Sequence, residues 1–201
     1  KSEIWKYNRP IGISIGGHNK FDYVNNLKLI DEKIKIHNSN YFYELNISCP
    51  NTADGKTITE DLNQLNSILK DIRKITEKTI SVKVTPDASD AKLNEIGEIC
   101  STLNNILINS GNTQYIKPEI AGLHSANFSM PGGGLSGPAL FERTCEMISL
   151  FSKFKMPIMA TGGISSIHHL RETRKLGASL FGMATSLVLD PYCIPRINYK
   201  L

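Results

Sequence analysis

The densest chemistry in the chain is Asn46-Ile47-Ser48-Cys49-Pro50-Asn51-Thr52, two carboxamides flanking a thiol on a short run that a proline stiffens. Each carboxamide offers a donor and an acceptor, which suits the edge of a planar imide ring. A thiol ionises near pH ~8.5, and it can take a proton from carbon where a neighbouring charge favours thiolate. On composition alone, a polar loop with a structural cysteine explains these residues equally well. Lys83 stands in Ser81-Val82-Lys83-Val84-Thr85-Pro86-Asp87. An unpaired ammonium is costly to bury, so this lysine is expected to meet an anion. The alternative is an edge lysine that snorkels to water.

Three glycine-bearing stretches follow. Gly132, Gly133, Gly134 and Gly137 lie in one run before a predicted helix, where backbone N–H groups could approach a ligand or simply form a flexible connector. Gly162-Gly163 opens another helix, and Thr185 follows the last predicted strand. Helix N-termini and free N–H groups at such places bind phosphate, although ordinary turns have the same composition. Asn109-Ser110-Gly111-Asn112-Thr113 could hydrogen-bond a planar substrate or form a plain turn. The five histidines show no metal-ligand spacing, and most are expected in solvated or helix-surface positions. The four cysteines are far apart, without a C-x-x-C pair, so no zinc site is predicted.

The elements that must carry these residues alternate strictly. Strands are predicted at 10–15, 43–47, 79–84, 105–109, 157–161 and 179–183. Helices are predicted at about 20–35, 59–77, 91–103, 138–153, 165–176 and after 186. In the helix at 59–77, Leu62, Leu65, Leu69, Ile72 and Ile75 fall on one face, and Thr59 reads as the N-cap. Ser165 or Ser166 starts the helix that stops before Gly177. Such alternation implies an α/β fold with a parallel sheet. Asn46, Lys83, Asn109, Gly162 and Gly163 all sit at C-terminal strand ends. That spread favours a (β/α)8 TIM-type barrel over an open doubly wound sheet, which gathers its site at one switch point. A full barrel needs eight units and roughly 250 residues. Six are found in 201 residues, read as a single domain over 1–201 that lacks the front of the barrel.

Bulk properties narrow the class further. The chain is 40% hydrophobic with a net charge of +4 spread evenly. No basic block suggests a nucleic-acid surface, and no apolar run reaches the ~18 residues of a membrane helix. Sparse cysteine fits a reducing compartment, the cytoplasm, with membrane association left open. A homodimer is compatible with the sequence.

In this order, the pieces resemble the dihydroorotate dehydrogenase family from about residue 10 to about 190. NISCPNT at 46–52 is the most specific match. VKVTPD at 82–87, GGLSGPAL at 133–140, ATGGISS at 160–166 and GASLFGMATSLV at 177–188 extend it. The resemblance implies an FMN-dependent oxidoreductase that converts dihydroorotate to orotate in de novo pyrimidine biosynthesis. Cys49 is similar to the base that removes a proton from substrate C5, while hydride leaves C6 for flavin N5. Asn46, Asn51, Asn109 and Ser110 resemble substrate-binding residues. Lys83 is similar to a flavin-ring lysine, and Asn46 and Ser14 to further cofactor contacts. Gly137, Gly162, Gly163, Ala184 and Thr185 resemble the surroundings of the FMN phosphate. Different motifs resemble branches that use fumarate, NAD or quinone, so the electron acceptor stays undetermined. Two other readings remain: an FMN-dependent reductase of dihydropyrimidine or dihydrouridine, and a non-catalytic barrel fragment. An incomplete barrel is expected to bind FMN weakly or not at all.

Overall fold

Tyr41, Tyr43 and Leu45 alternate with Phe42, Glu44 and Asn46 along one strand, and the first three are buried. A period of two sends alternate side chains to opposite faces, so a single strand both builds the core and presents polar groups. The computed structural model describes residues 9–37, 40–48 and 58–201; Cys49 and Asn51 lie outside the described residues. The chain forms two compact units, Lys1–Lys83 with Glu95–Ile108, and Val84–Asn94 with Asn109–Leu201.

In the first unit, β1 (Ile11–Ile15), α1 (Lys20–Ile34), β2 (Tyr41–Asn46), α2 (Leu62–Ile75) and β3 (Ile80–Lys83) follow one another. Strands β1, β2 and β3 are parallel neighbours. Ser14 pairs with Glu44 and Glu44 with Ser81 in one row across the sheet. Helix α1 buries Tyr23 and Leu27, and its Asp31 accepts a hydrogen bond from the Tyr43 hydroxyl at 2.8 Å. It meets α2 through Lys20, whose Nζ donates to Ser67 Oγ at 2.7 Å and pairs with Asp71. Helix α2 buries Leu65, Ile68, Leu69 and Ile72, close to the predicted stripe, with Leu62 and Ile75 half-buried.

Its start differs from expectation. Asp61, not Thr59, is the N-cap, accepting from the Gln64 N–H at 2.9 Å. Thr59 is buried in a short 3-10 turn, Ile58–Glu60, and its hydroxyl is spent on the Ile47 carbonyl at 3.1 Å. A side chain already committed to another backbone cannot cap the helix.

Helix α3 (Asp90–Ser101) and β4 (Ile106–Ser110) each run from one unit into the other. All five residues of β4 are buried, as a parallel strand covered on both faces should be.

The second unit adds β5 (Gln114–Ile116) and β6 (Gly133–Leu135), an antiparallel pair. The glycine run expected as a loop or connector therefore includes a strand. A Cβ at Gly132 would stand 2.8 Å from the Ile116 carbonyl, so glycine is what lets the hairpin close. After it come α4 (Phe141–Ser152), β7 (Ile158–Thr161), α5 (Ile167–Lys175), β8 (Leu180–Gly182), α6 (Thr185–Leu189) and α7 (Cys193–Asn198). Strand β7 lies between β4 and β8. Ser166 caps α5 by accepting from the His169 N–H at 3.2 Å, and Gly177 ends that helix at φ +120.

The segment after β3 is laced into this unit. Both Asp87 carboxylate oxygens accept the Tyr115 N–H at 3.1 Å. Arg143 of α4 donates to the Pro86 carbonyl at 3.2 Å, the Ala88 carbonyl at 2.9 Å and Asp90 at 2.9 Å.

Six parallel strands make the main sheet, with helices alternating between them. The fold class is α/β, with six βα units of the (β/α)8 type. Among the described residues no helix is long and apolar enough to cross a membrane.

Candidate functional site

In the first unit, the predicted site residues gather at the C-terminal ends of β2 and β3. Asn46 and Lys83 are register partners. The Asn46 carbonyl is held by the Tyr23 hydroxyl at 2.7 Å, and its side-chain oxygen accepts from Ser48 Oγ at 2.9 Å. Tyr23 is wholly buried, so α1 fixes where β2 ends. Lys83 is half-buried and has no hydrogen-bond or ion-pair partner among the described residues. Its ammonium is thus available to an anion. Ser14 is exposed on β1, one strand from Glu44. Glu44 accepts from Ser81 Oγ at 3.3 Å and was not singled out in the sequence. An acidic residue inside an otherwise apolar strand was the available signal.

Burial pushes the Cys100 thiol up to about 12, which keeps it protonated. Cys145 is raised by burial and then by Glu172, Glu142 and Glu146 around it. Neither supplies a thiolate near neutral pH.

In the second unit, Asn109 and Ser110 end β4 and are both buried. Ser110 Oγ donates to the Met159 carbonyl of β7 at 3.1 Å. Gly111 follows at a point where any Cβ would run into the Thr161 carbonyl.

The glycines and Thr185 form one cluster. Gly137, Gly162 and Gly163 have φ of +84, +117 and +74, values that favour glycine. A Cβ on Gly163 would lie 2.6 Å from the Phe141 nitrogen, one on Gly162 2.6 Å from Thr144 Oγ1, and one on Gly137 3.4 Å from Thr185 Cγ2. Thr185 Oγ1 donates to Ser136 Oγ at 3.1 Å, and Ala184 precedes it at the start of α6. Two hydroxyls brace the Gly162-Gly163 loop: Thr144 donates to the Thr161 carbonyl at 3.3 Å, and Ser186 to the Ile164 carbonyl at 2.7 Å. Gly163 and Ile164 are buried. Yet among the described residues the N–H groups of Gly162, Gly163 and Ile164 donate to nothing. Buried N–H groups are rarely left without an acceptor, and successive unspent ones on a glycine turn are available to an anion. The cluster suits a phosphate.

Thr144 was missed in the sequence, although it stands on the apolar stripe with Met147, Ile148 and Phe151. A hydroxyl at such spacing marks a core helix face with a polar task.

Comparison with known proteins places the chain in a family. The family model described as dihydroorotate dehydrogenase matches residues 1–201. A dihydroorotate dehydrogenase B (NAD(+)) catalytic subunit from Malacoplasma penetrans is 30% identical over 98% of this chain and 63% of its own length. A dihydroorotate dehydrogenase (quinone) from Pasteurella multocida is 29% identical over 97% of this chain and 60% of its own. The chain thus spans about three-fifths of the length of these relatives. The ligand-free DHODH crystal structure from Eimeria tenella superposes with a TM-score of 0.74 at 21% identity, over 92% of this chain and 57% of that one. The family-model match over residues 1–201 makes this chain a member of the dihydroorotate dehydrogenase family.

Proposed function

We propose that this chain carries the FMN-binding and proton-abstracting residues of an enzyme that oxidises dihydroorotate to orotate in de novo pyrimidine biosynthesis. Enzymes of the family are FMN-dependent flavoproteins. The observation that carries the reading is the trio of unspent N–H groups at Gly162, Gly163 and Ile164, beside Gly137 and Thr185.

These N–H groups and the Thr185 hydroxyl would hold the FMN phosphate, with Ala184 leading into that turn. Ser14, Asn46 and Lys83 would serve the flavin ring, Lys83 balancing negative charge. FMN supplies a two-electron acceptor for hydride when bound. Asn46, Asn51, Asn109 and Ser110 hydrogen-bond the substrate's ring edge. The thiolate of Cys49 takes the proton from C5 as hydride leaves C6, so both hydrogens depart and a double bond forms. The relatives' names carry NAD(+) and quinone, and fumarate is the third acceptor class that the motifs suggest. A cytoplasmic setting suits a chain with sparse cysteine.

Cys49→Ala is expected to abolish dihydroorotate oxidation while FMN stays bound, and Cys49→Ser to keep part of the activity. Full turnover by Cys49→Ala would remove Cys49 from the reaction. A flavin fluorescence titration tests the cofactor directly: the purified chain should bind FMN, weakly, and more tightly than riboflavin, which lacks the phosphate.

A further inference from the structure

We infer that His169 is a positioning residue for the phosphate-binding loop, and that it sets the preference for FMN over riboflavin. The inference rests on the FMN reading above. His169 lies in the first turn of α5, where a histidine would ordinarily face water. Here its ring is stacked on Phe141, with centroids 4.1 Å apart and planes at 27°. Its Nδ1 lies 3.3 Å from the Ser165 nitrogen and 3.2 Å from Ser165 Oγ. In the HNε2 tautomer, Nδ1 accepts a hydrogen bond from the Ser165 N–H.

These contacts join the two segments around Gly163. Phe141 is the first residue of α4, and its backbone is what a Cβ on Gly163 would strike. Ser165 is two residues beyond Gly163 on the same loop. The ring therefore bridges the segment from Gly137 to Phe141 and the segment from Gly162 to Ser165. It also absorbs the Ser165 N–H, while the three preceding N–H groups stay free. Thr144 and Ser186 hold the loop by its carbonyls. His169 is the side chain that holds it by an N–H. Without the ring, Ser165 is released, and the loop that carries the unspent N–H groups of Gly162, Gly163 and Ile164 can rotate.

The step from geometry to ligand is selective. A loosened loop weakens contact with a phosphate dianion but leaves the flavin ring's own contacts alone. His169→Ala should lower FMN affinity about tenfold, the scale of one lost hydrogen bond with its ordering, and leave riboflavin affinity unchanged. His169→Asn, whose Oδ1 can accept the Ser165 N–H, should restore most of the difference. His169→Leu keeps an apolar cover over Phe141 but has no acceptor. It should behave as the alanine variant, and it carries the test if that variant does not fold.

The experiment is a pair of flavin fluorescence titrations, FMN and riboflavin, on the wild-type chain and each variant. Loss of the FMN preference in the alanine and leucine variants, regained in the asparagine variant, supports the inference. A wild-type chain without preference for FMN overturns the FMN reading and this inference with it. An intact preference in the alanine or leucine variant overturns the inference alone. So does an equal fall in both affinities, or an asparagine variant as poor as alanine.

Discussion

Lys83 is the residue whose chemistry is easiest to state: a half-buried ammonium at a strand end, in register with Asn46 and free of any partner among the described residues. Replacing it with methionine should cost reduced FMN more affinity than oxidised FMN, about tenfold, because only the reduced ring carries the charge it faces. A redox titration with wild type as reference reads that ratio, and an unchanged ratio would show that Lys83 serves another anion. Tyr43 makes the contrasting case. Burial, and then the Asp31 carboxylate beside it, push its hydroxyl above the usual tyrosine range, so it stays a donor to Asp31. Tyr43→Phe should therefore cost about 1 kcal/mol in a urea melt. Lys83 and Asn46 were legible in the sequence because polar groups stand out in apolar runs. His169 was not, since its partner Phe141 is distant in sequence and a helix-surface histidine looks the same with or without a ring beneath it.

At the scale of elements, the buried faces were readable and their ends were not. Leu65, Leu69 and Ile72 announce α2 by spacing, but Thr59 and Asp61 are both good caps. Only the position of the Ile47 carbonyl, across a stretch of chain, decides between them. Asp61→Ala should cost about 1 kcal/mol of stability, read by thermal or urea unfolding. The hairpin β5–β6 escaped notice because three-residue strands, one of them with two glycines, show no usable period. The α1–α2 contact makes a pH prediction. Hydrogen bonds from Lys20 and then Lys74 hold the Asp71 carboxyl at about 2, below its ordinary 3.8. A lowered carboxylate pKa contributes stability above the unfolded value and loses it as pH falls through the folded one. The stability gap between wild type and Asp71→Asn should thus be present at neutral pH and vanish as pH drops from about 4 to about 2. Added salt should narrow it. Unfolding curves across that range, with and without salt, check both statements.

For the whole molecule, strand and helix alternation was enough to reach the fold class. The grouping into two compact units was not visible, because it depends on which distant segments touch. One lacing within the second unit has a mechanical consequence. The Asp87 carboxylate grips the amide of Tyr115, while Arg143 ties the neighbouring carbonyls of Pro86 and Ala88 to α4. The hairpin, the turn and the helix are therefore tied to one another. The Tyr115 amide should exchange with deuterium slowly although the residue is 58% exposed. Cutting the tether at Asp87 should let the hairpin swing away from a turn that stays docked on α4.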